Sequence, residues 1–163
     1  MDDEVRFLKL LENRTAEADK LLIINSKIQD LLESSQVEAT YPLLDISEQC
    51  FEELQLIDRK ISELSHKSDA RNISRIKKIL AMNEPDNLTS EEQKMMSAMK
   101  TFAGLMEKIM EKNIIIKEIF LKEQQTTLSE IKSIRSQKAK LLHSKKFLDS
   151  MGLEEPNQWE IES

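Results

Sequence analysis

The sequence predicts an all-α protein: an antiparallel bundle of three long helices, coiled-coil-like in its packing, with a fourth short C-terminal helix as a variant. Three observations lead there. Only two glycines and three prolines occur among 163 residues, so the chain has few places to turn sharply. Charged residues make up 33% and aromatic residues 4%, a balance that suits long solvated helices and starves a β-sheet. Apolar residues recur at alternating steps of three and four along most of the chain.

The first helix is expected from about Asp3 to about Leu32. Its acidic start, Asp2-Asp3-Glu4, lies where the helix dipole is positive. One face carries Leu8, Leu11, Ala18, Leu22 and Leu32; an adjacent stripe carries Leu21, Ile24, Ile28 and Leu31, so the helix can touch two neighbours. A break follows at Ser34-Ser35-Gln36. Pro42 suits the first turn of a second helix, where its missing N–H costs nothing, with Thr40 or Tyr41 at the cap. Cys50, Leu54, Ile57, Ile61 and Leu64 line that helix, and Ile73, Ile76 and Leu80 continue it beyond a polar patch. Ser68-Asp69 could start a fresh helix there, dividing the second helix in two.

Asn83-Glu84-Pro85-Asp86-Asn87 is the clearest loop. Thr89-Ser90-Glu91-Glu92 then spells a capping box, in which Thr89 and Glu92 each satisfy the other's backbone amide. The third helix runs from there to about Leu148. Its inward stripe reads Met99, Phe102, Met106, Ile109, Asn113, Ile116 and Phe120. Asn113 interrupts an apolar series, as residues that set register or partner choice do, or else it turns to solvent through a small shift of phase. Replacing it with Leu is expected to leave the bundle folded and to raise its stability. The methionines clustered at Met95, Met96, Met99, Met106 and Met110 fit a core, or an adaptable binding groove. Residues 1–148 thus form one helical domain, and 149–163, with five acids and no base, an unstructured tail.

The three helices differ in length: roughly 45, 60 and 88 Å at 1.5 Å per residue. Folded back on one another by short connections, they leave residues 132 to 148 with no neighbour in the chain. This overhang carries Lys132, Arg135, Lys138, Lys140, Lys145 and Lys146 and no acid. It also carries apolar residues. Leu128, Ile131 and Ile134 begin the series, and Leu141, Leu142, Phe147 and Leu148 continue it. One reading is a solvated helix end whose cations face the negative pole of the dipole. Another is a partner-binding surface of Leu128, Ile131, Ile134, Arg135, Lys138, Leu141, Leu142, Lys145, Phe147 and Leu148, since monomers rarely leave such patches wet. A third is a break near Thr126-Thr127 that folds the segment back as a fourth helix.

Enzymatic chemistry finds no foothold. Two glycines cannot build a phosphate-cradling loop, and His66 and His143 lack companions at metal-ligand spacing, so no metal and no cofactor are expected. Cys50 and His66 lie some 24 Å apart along one helix, too far for a nucleophile pair. A lone Cys50 makes no intrachain disulfide and reads as a small core residue. A net charge of −6 argues against nucleic-acid binding. The acidic start is unlike a signal peptide, and no apolar run spans a bilayer, so a cytoplasmic protein with no membrane insertion is expected.

The stretch Leu105-Met106-Glu107-Lys108-Ile109-Met110-Glu111-Lys112-Asn113 resembles flagellar type III export chaperones of the FlgN kind, in which an apolar-spaced helix bears a Glu-x-Asn element. The leucine-rich opening from Leu10-Leu11 to Leu32 and the helix Phe51 to Leu64 are similar to the same family, and Ile134-Arg135-Ser136-Gln137-Lys138-Ala139 resembles the related FliT chaperones. The resemblance covers residues 5 to 148. The tyrosine that the family often carries near a glycine after the last helix is missing at Ser150-Met151-Gly152. The resemblance implies a chaperone that holds the amphipathic ends of hook–filament junction or cap proteins through its C-terminal helix and delivers them to the export apparatus. The alternative is a structural coiled-coil subunit or tether. A homodimer is compatible with either.

Overall fold

The structure, a computed structural model, describes the backbone of residues 3–67 and 70–150 and the side chains of residues 3–67 and 73–146. The described residues contain helices and no strand. Helix α1 spans Asp3–Glu33, a 3-10 turn spans Glu38–Thr40, α2 spans Tyr41–Lys67, α3 spans Ala70–Leu80 and α4 spans Ser90–Ser150. The expected division of the second helix is present between α2 and α3; Ser68 and Asp69 themselves lie outside the described residues, as does the acidic tail from Met151 onward. The fold-back near Thr126-Thr127 does not occur: α4 passes through it unbroken. By their internal contacts the residues group into two units, Met1–Lys117 and Glu118–Ser163.

The first unit is a helical core built on one seam of α1. Phe7, Leu11, Arg14, Ala18, Leu21, Asn25, Ile28 and Leu32 are all buried, at steps that alternate four and three without exception. This corrects the expected pair of stripes: Leu22, Ile24 and Leu31 are only half-buried, and the true seam passes through two polar residues. The reason is the 3.5-residue period of helices that wind about each other, which keeps one line of residues facing inward. Toward the start of α1, Phe7, Leu8 and Leu11 pack with Ile57 and Ile61 of α2, Ile76 and Ile79 of α3, and Met95, Met96 and Met99 of α4. Farther along, Ala18 and Leu21 pack with Cys50, Leu54 and Ile109. Ile109 and Ile116 are buried as the α4 stripe requires. Three of the five clustered methionines are core; Met106 is half-buried and Met110 exposed.

The helix ends follow from local chemistry. The Gln36 amide donates to the Leu31 carbonyl at 2.8 Å and the Ser35 amide to that of Leu32 at 3.0 Å, with Ser35 at φ 59°. Helix α3 ends the same way: the Asn83 amide donates to Lys78 and the Met82 amide to Ile79, with Met82 at φ 62°. Both are Schellman closures made without the usual glycine. Thr40 does not cap α2 as expected. It is fully buried in the 3-10 turn, where its hydroxyl donates to the Val37 carbonyl at 2.5 Å, and Tyr41 already belongs to α2. The capping box of α4 forms as the sequence predicts: the Glu92 amide donates to the Thr89 hydroxyl, and the Thr89 amide to the Glu92 carboxylate, both at 3.1 Å.

Candidate protein-docking surface

Three polar clusters fix how the helices of the first unit meet. In the first, Arg14 of α1 donates to Asp58 of α2 at 2.9 Å and to the Met99 sulfur of α4 at 3.0 Å, while its guanidinium lies 4.0 Å from the Phe102 ring centroid. In the second, the Asn25 side-chain amide of α1 donates to Asn113 Oδ1 at 2.8 Å, and its own Oδ1 accepts from the Ser47 hydroxyl at 2.9 Å. Asn113 therefore reaches a buried partner on α1 while remaining exposed itself. In the third, the buried Glu92 carboxylate receives two bonds from Arg75 of α3, at 2.7 and 3.1 Å. Those bonds, with the Thr89 amide and hydroxyl, hold the Glu92 carboxyl below its ordinary range despite its burial. Arg75 also donates to the carbonyls of Asp86 and Asn87, tying the loop before α4 to α3.

Sequence reasoning missed Arg14 and Asn25. Their signal was there: each falls on the alternating four-and-three series of α1, but a polar residue in a stripe is easily read as a gap. Cys50 is buried, and its thiol is pushed above the ordinary value by burial first and by the Glu17 carboxylate second, which suits a core residue and not a nucleophile. Among the described residues no group of His, Cys, Asp or Glu could hold a metal ion, and no helix is long and apolar enough to cross a membrane.

The contacts between α1 and α4 also correct the expected overhang. Pairs joining the two helices are separated by 83 to 88 residues in sequence. The end of α1 at Glu33 therefore draws level with about residues 116 to 121 of α4, some ten residues before the expected point. Ile116 is accordingly the last buried residue of α4 among those described. A second helix running as one rod from Pro42 would carry that level to about residue 131. In fact it is two helices, and the chain from Ala81 to Thr89 reverses without helical rise.

The second unit, considered by itself, offers a solvated helical face. None of its described side chains is buried. Leu128 is 51% exposed, Ile131 38%, Ile134 63% and Leu142 45%; Leu141 and Arg135 are exposed as well. Lys138 and Lys145 are half-buried. The side chains of Phe147 and Leu148 lie outside the described residues. Its apolar residues fall on two adjacent lines of the helix. Continuing the core series of α4 past Phe120 lands on the polar Glu123, Thr127, Glu130 and Gln137 and on the apolar Ile134 and Leu141. A second apolar line runs one position later, through Leu121, Leu128, Ile131 and Leu142, with Gln124, Arg135, Lys138 and Lys145 at the remaining places. The chain matches no protein-family model, no curated protein and no solved structure.

Proposed function

We propose that this chain is a helical protein-binding module of the export-chaperone type, acting in the cytoplasm, and that α4 beyond Glu118 takes the amphipathic helical end of a client. The observation that carries the reading is the exposure of Leu128, Ile131, Ile134, Leu141 and Leu142 on one helical segment. Apolar side chains at helical spacing are what helix-in-groove recognition uses, and a contiguous exposed patch of them marks an interaction surface. The first unit serves as the anchor. Its bonds from Arg14 to Asp58 and from Asn25 to Ser47 support an antiparallel α1–α2 pair, since residues later in α1 meet residues earlier in α2. The resemblance to flagellar export chaperones adds the client class, hook–filament junction or cap proteins, and places the export apparatus downstream.

The unbroken course of α4 favours one other reading, a structural coiled-coil subunit or tether. Truncation separates the two. Ending the chain at Thr127 leaves the first unit whole, so circular dichroism should show a cooperative melt. Under the chaperone reading, the proteins that co-purify with the full chain are lost on truncation, and replacing Ile131, Ile134 and Leu142 with Ser removes them too. Under the tether reading the full chain is a constitutive oligomer by light scattering without any client, and truncation dissolves it. Loss of cooperative melting on truncation would show that the segment belongs to the core and defeat both.

A further inference from the structure

Cations gather in one hollow of the first unit. Arg6 and Lys9 share a side of α1, and Lys60 and Lys67 share a side of α2. All four line one cavity of about 400 Å³ between these helices, and Glu63 is its one lining carboxylate. Leu10 and Leu64, both half-buried, supply its apolar part. Among the described residues no ion pair engages any of the four cations. The cavity thus carries an excess of three positive charges in a protein whose net charge is −6. Like charges held close repel, and an entering anion relieves that repulsion. The packing of Phe7, Leu8 and Leu11 against Ile57 and Ile61 fixes the two helices on either side, so the cations do not need to be assembled when a ligand arrives.

We propose that this cavity binds a compact anion carrying two or more phosphate groups. The inference goes beyond the docking role of α4 and does not depend on it, because every lining residue belongs to the first unit. Charge sets the number of groups. A single phosphate brings at most about two negative charges, and a second closes the gap to the excess of the site. A carboxylate brings one charge per group and fills the same space with less. Arg6 can fork two phosphate oxygens, while the lysines act as point charges. Size sets the upper bound. The volume lies at the lower end of the roughly 300–1,000 Å³ of small-molecule sites. The next cavity between the same two helices is lined by Glu17 and Glu53, with Lys20 as its one cation. An extended polyanion, such as an acidic peptide, would run from the first cavity into those carboxylates.

The test is calorimetric titration of the full chain with inorganic triphosphate, orthophosphate, citrate and polyglutamate. Triphosphate should bind at one site, about tenfold or more tighter than the other three, and should weaken as salt rises. Lys9 and Lys60 are exposed, so Lys9→Gln with Lys60→Gln should not lower the melt of the unliganded chain, yet should weaken triphosphate about tenfold or more. Glu63→Gln should tighten it. Vesicles containing phosphatidylinositol bisphosphate separate two sources of the same chemistry. Cosedimentation abolished by the double variant assigns the phosphates to a lipid headgroup; triphosphate binding without cosedimentation assigns them to a free compound. No saturable binding of triphosphate, an affinity unmoved by the double variant, or citrate or polyglutamate binding as tightly would each overturn the proposal. None of these results touches the docking role of α4, which is read from partner proteins and not from anions.

Discussion

The two parts of α4 share one backbone helix and almost nothing else. From Ser90 to Lys117 the inward series is Met95, Met99, Ile109 and Ile116, all buried. Its polar members, Glu92 and Asn113, each find a specific partner on another helix. From Glu118 onward none of the described side chains is buried, and the apolar residues fall on two adjacent lines, Ile134 and Leu141 on one and Leu128, Ile131 and Leu142 on the other. Apolar content and spacing are similar in both parts. What separates them is burial, and in the first part the polar residues of the seam have partners as well. Asn113 is answered by Asn25 and Glu92 by Arg75, both on other helices of the first unit. A seam whose polar residues are matched within the fold is core; a helix that leaves its apolar residues in water is open to a partner.

The comparison is most exposed to attack at its isoleucines. Ile109→Ala should lower stability by about 2–5 kcal/mol, because a fully buried side chain leaves a cavity. Ile134→Ala in the second part should change it by no more than about 0.5 kcal/mol. Urea denaturation monitored by circular dichroism measures both, and equal effects would erase the distinction. Next in size is Asn113→Leu. The sequence alone suggested a gain in stability, but the structure reverses the sign: the buried Asn25 amide would lose its acceptor, at a cost of about 1–3 kcal/mol. An unchanged or raised melting temperature would show that the pair contributes nothing to the core.

A smaller effect concerns acid. The Glu92 carboxyl titrates below its ordinary value in the folded chain, so the stability it contributes is complete above the usual carboxylate range. That contribution is lost as pH falls below the range and through the lowered value. Glu92→Gln should flatten this part of the acid limb in denaturation curves taken across pH; an unaltered limb would mean that other carboxylates carry it. Smaller still is Gly104→Ala. Outside its own stretch of helix no atom lies within 4 Å of where the new methyl group would stand, so only helix propensity changes and stability should rise by about 0.5–1 kcal/mol. Smallest of all, Leu142→Ser should leave the melt within about 0.5 kcal/mol of the parent, even while it removes client binding.

Much of this molecule was legible in its residues. The helical class, the ends of α1, the loop at Asn83–Asn87, the capping box at Thr89 and Glu92, and the buried Ile109 and Ile116 all follow from local rules: spacing, propensity and reciprocal amide bonds within a few residues. Such rules act over one or two turns of chain, and a sequence displays them directly. Three things needed the tertiary structure. Arg14 and Asn25 count as core only because Asp58, Met99, Ser47 and Asn113 come from distant helices to satisfy them. The level at which α4 leaves its neighbours depends on how many residues the turns consume, which no periodicity records. The sign of the Asn113→Leu effect depends on whether a buried amide faces it. A helix states in its sequence which of its residues share a side; which other helix will meet that side, and at what height, is settled by the simultaneous burial and pairing of residues far apart in the chain.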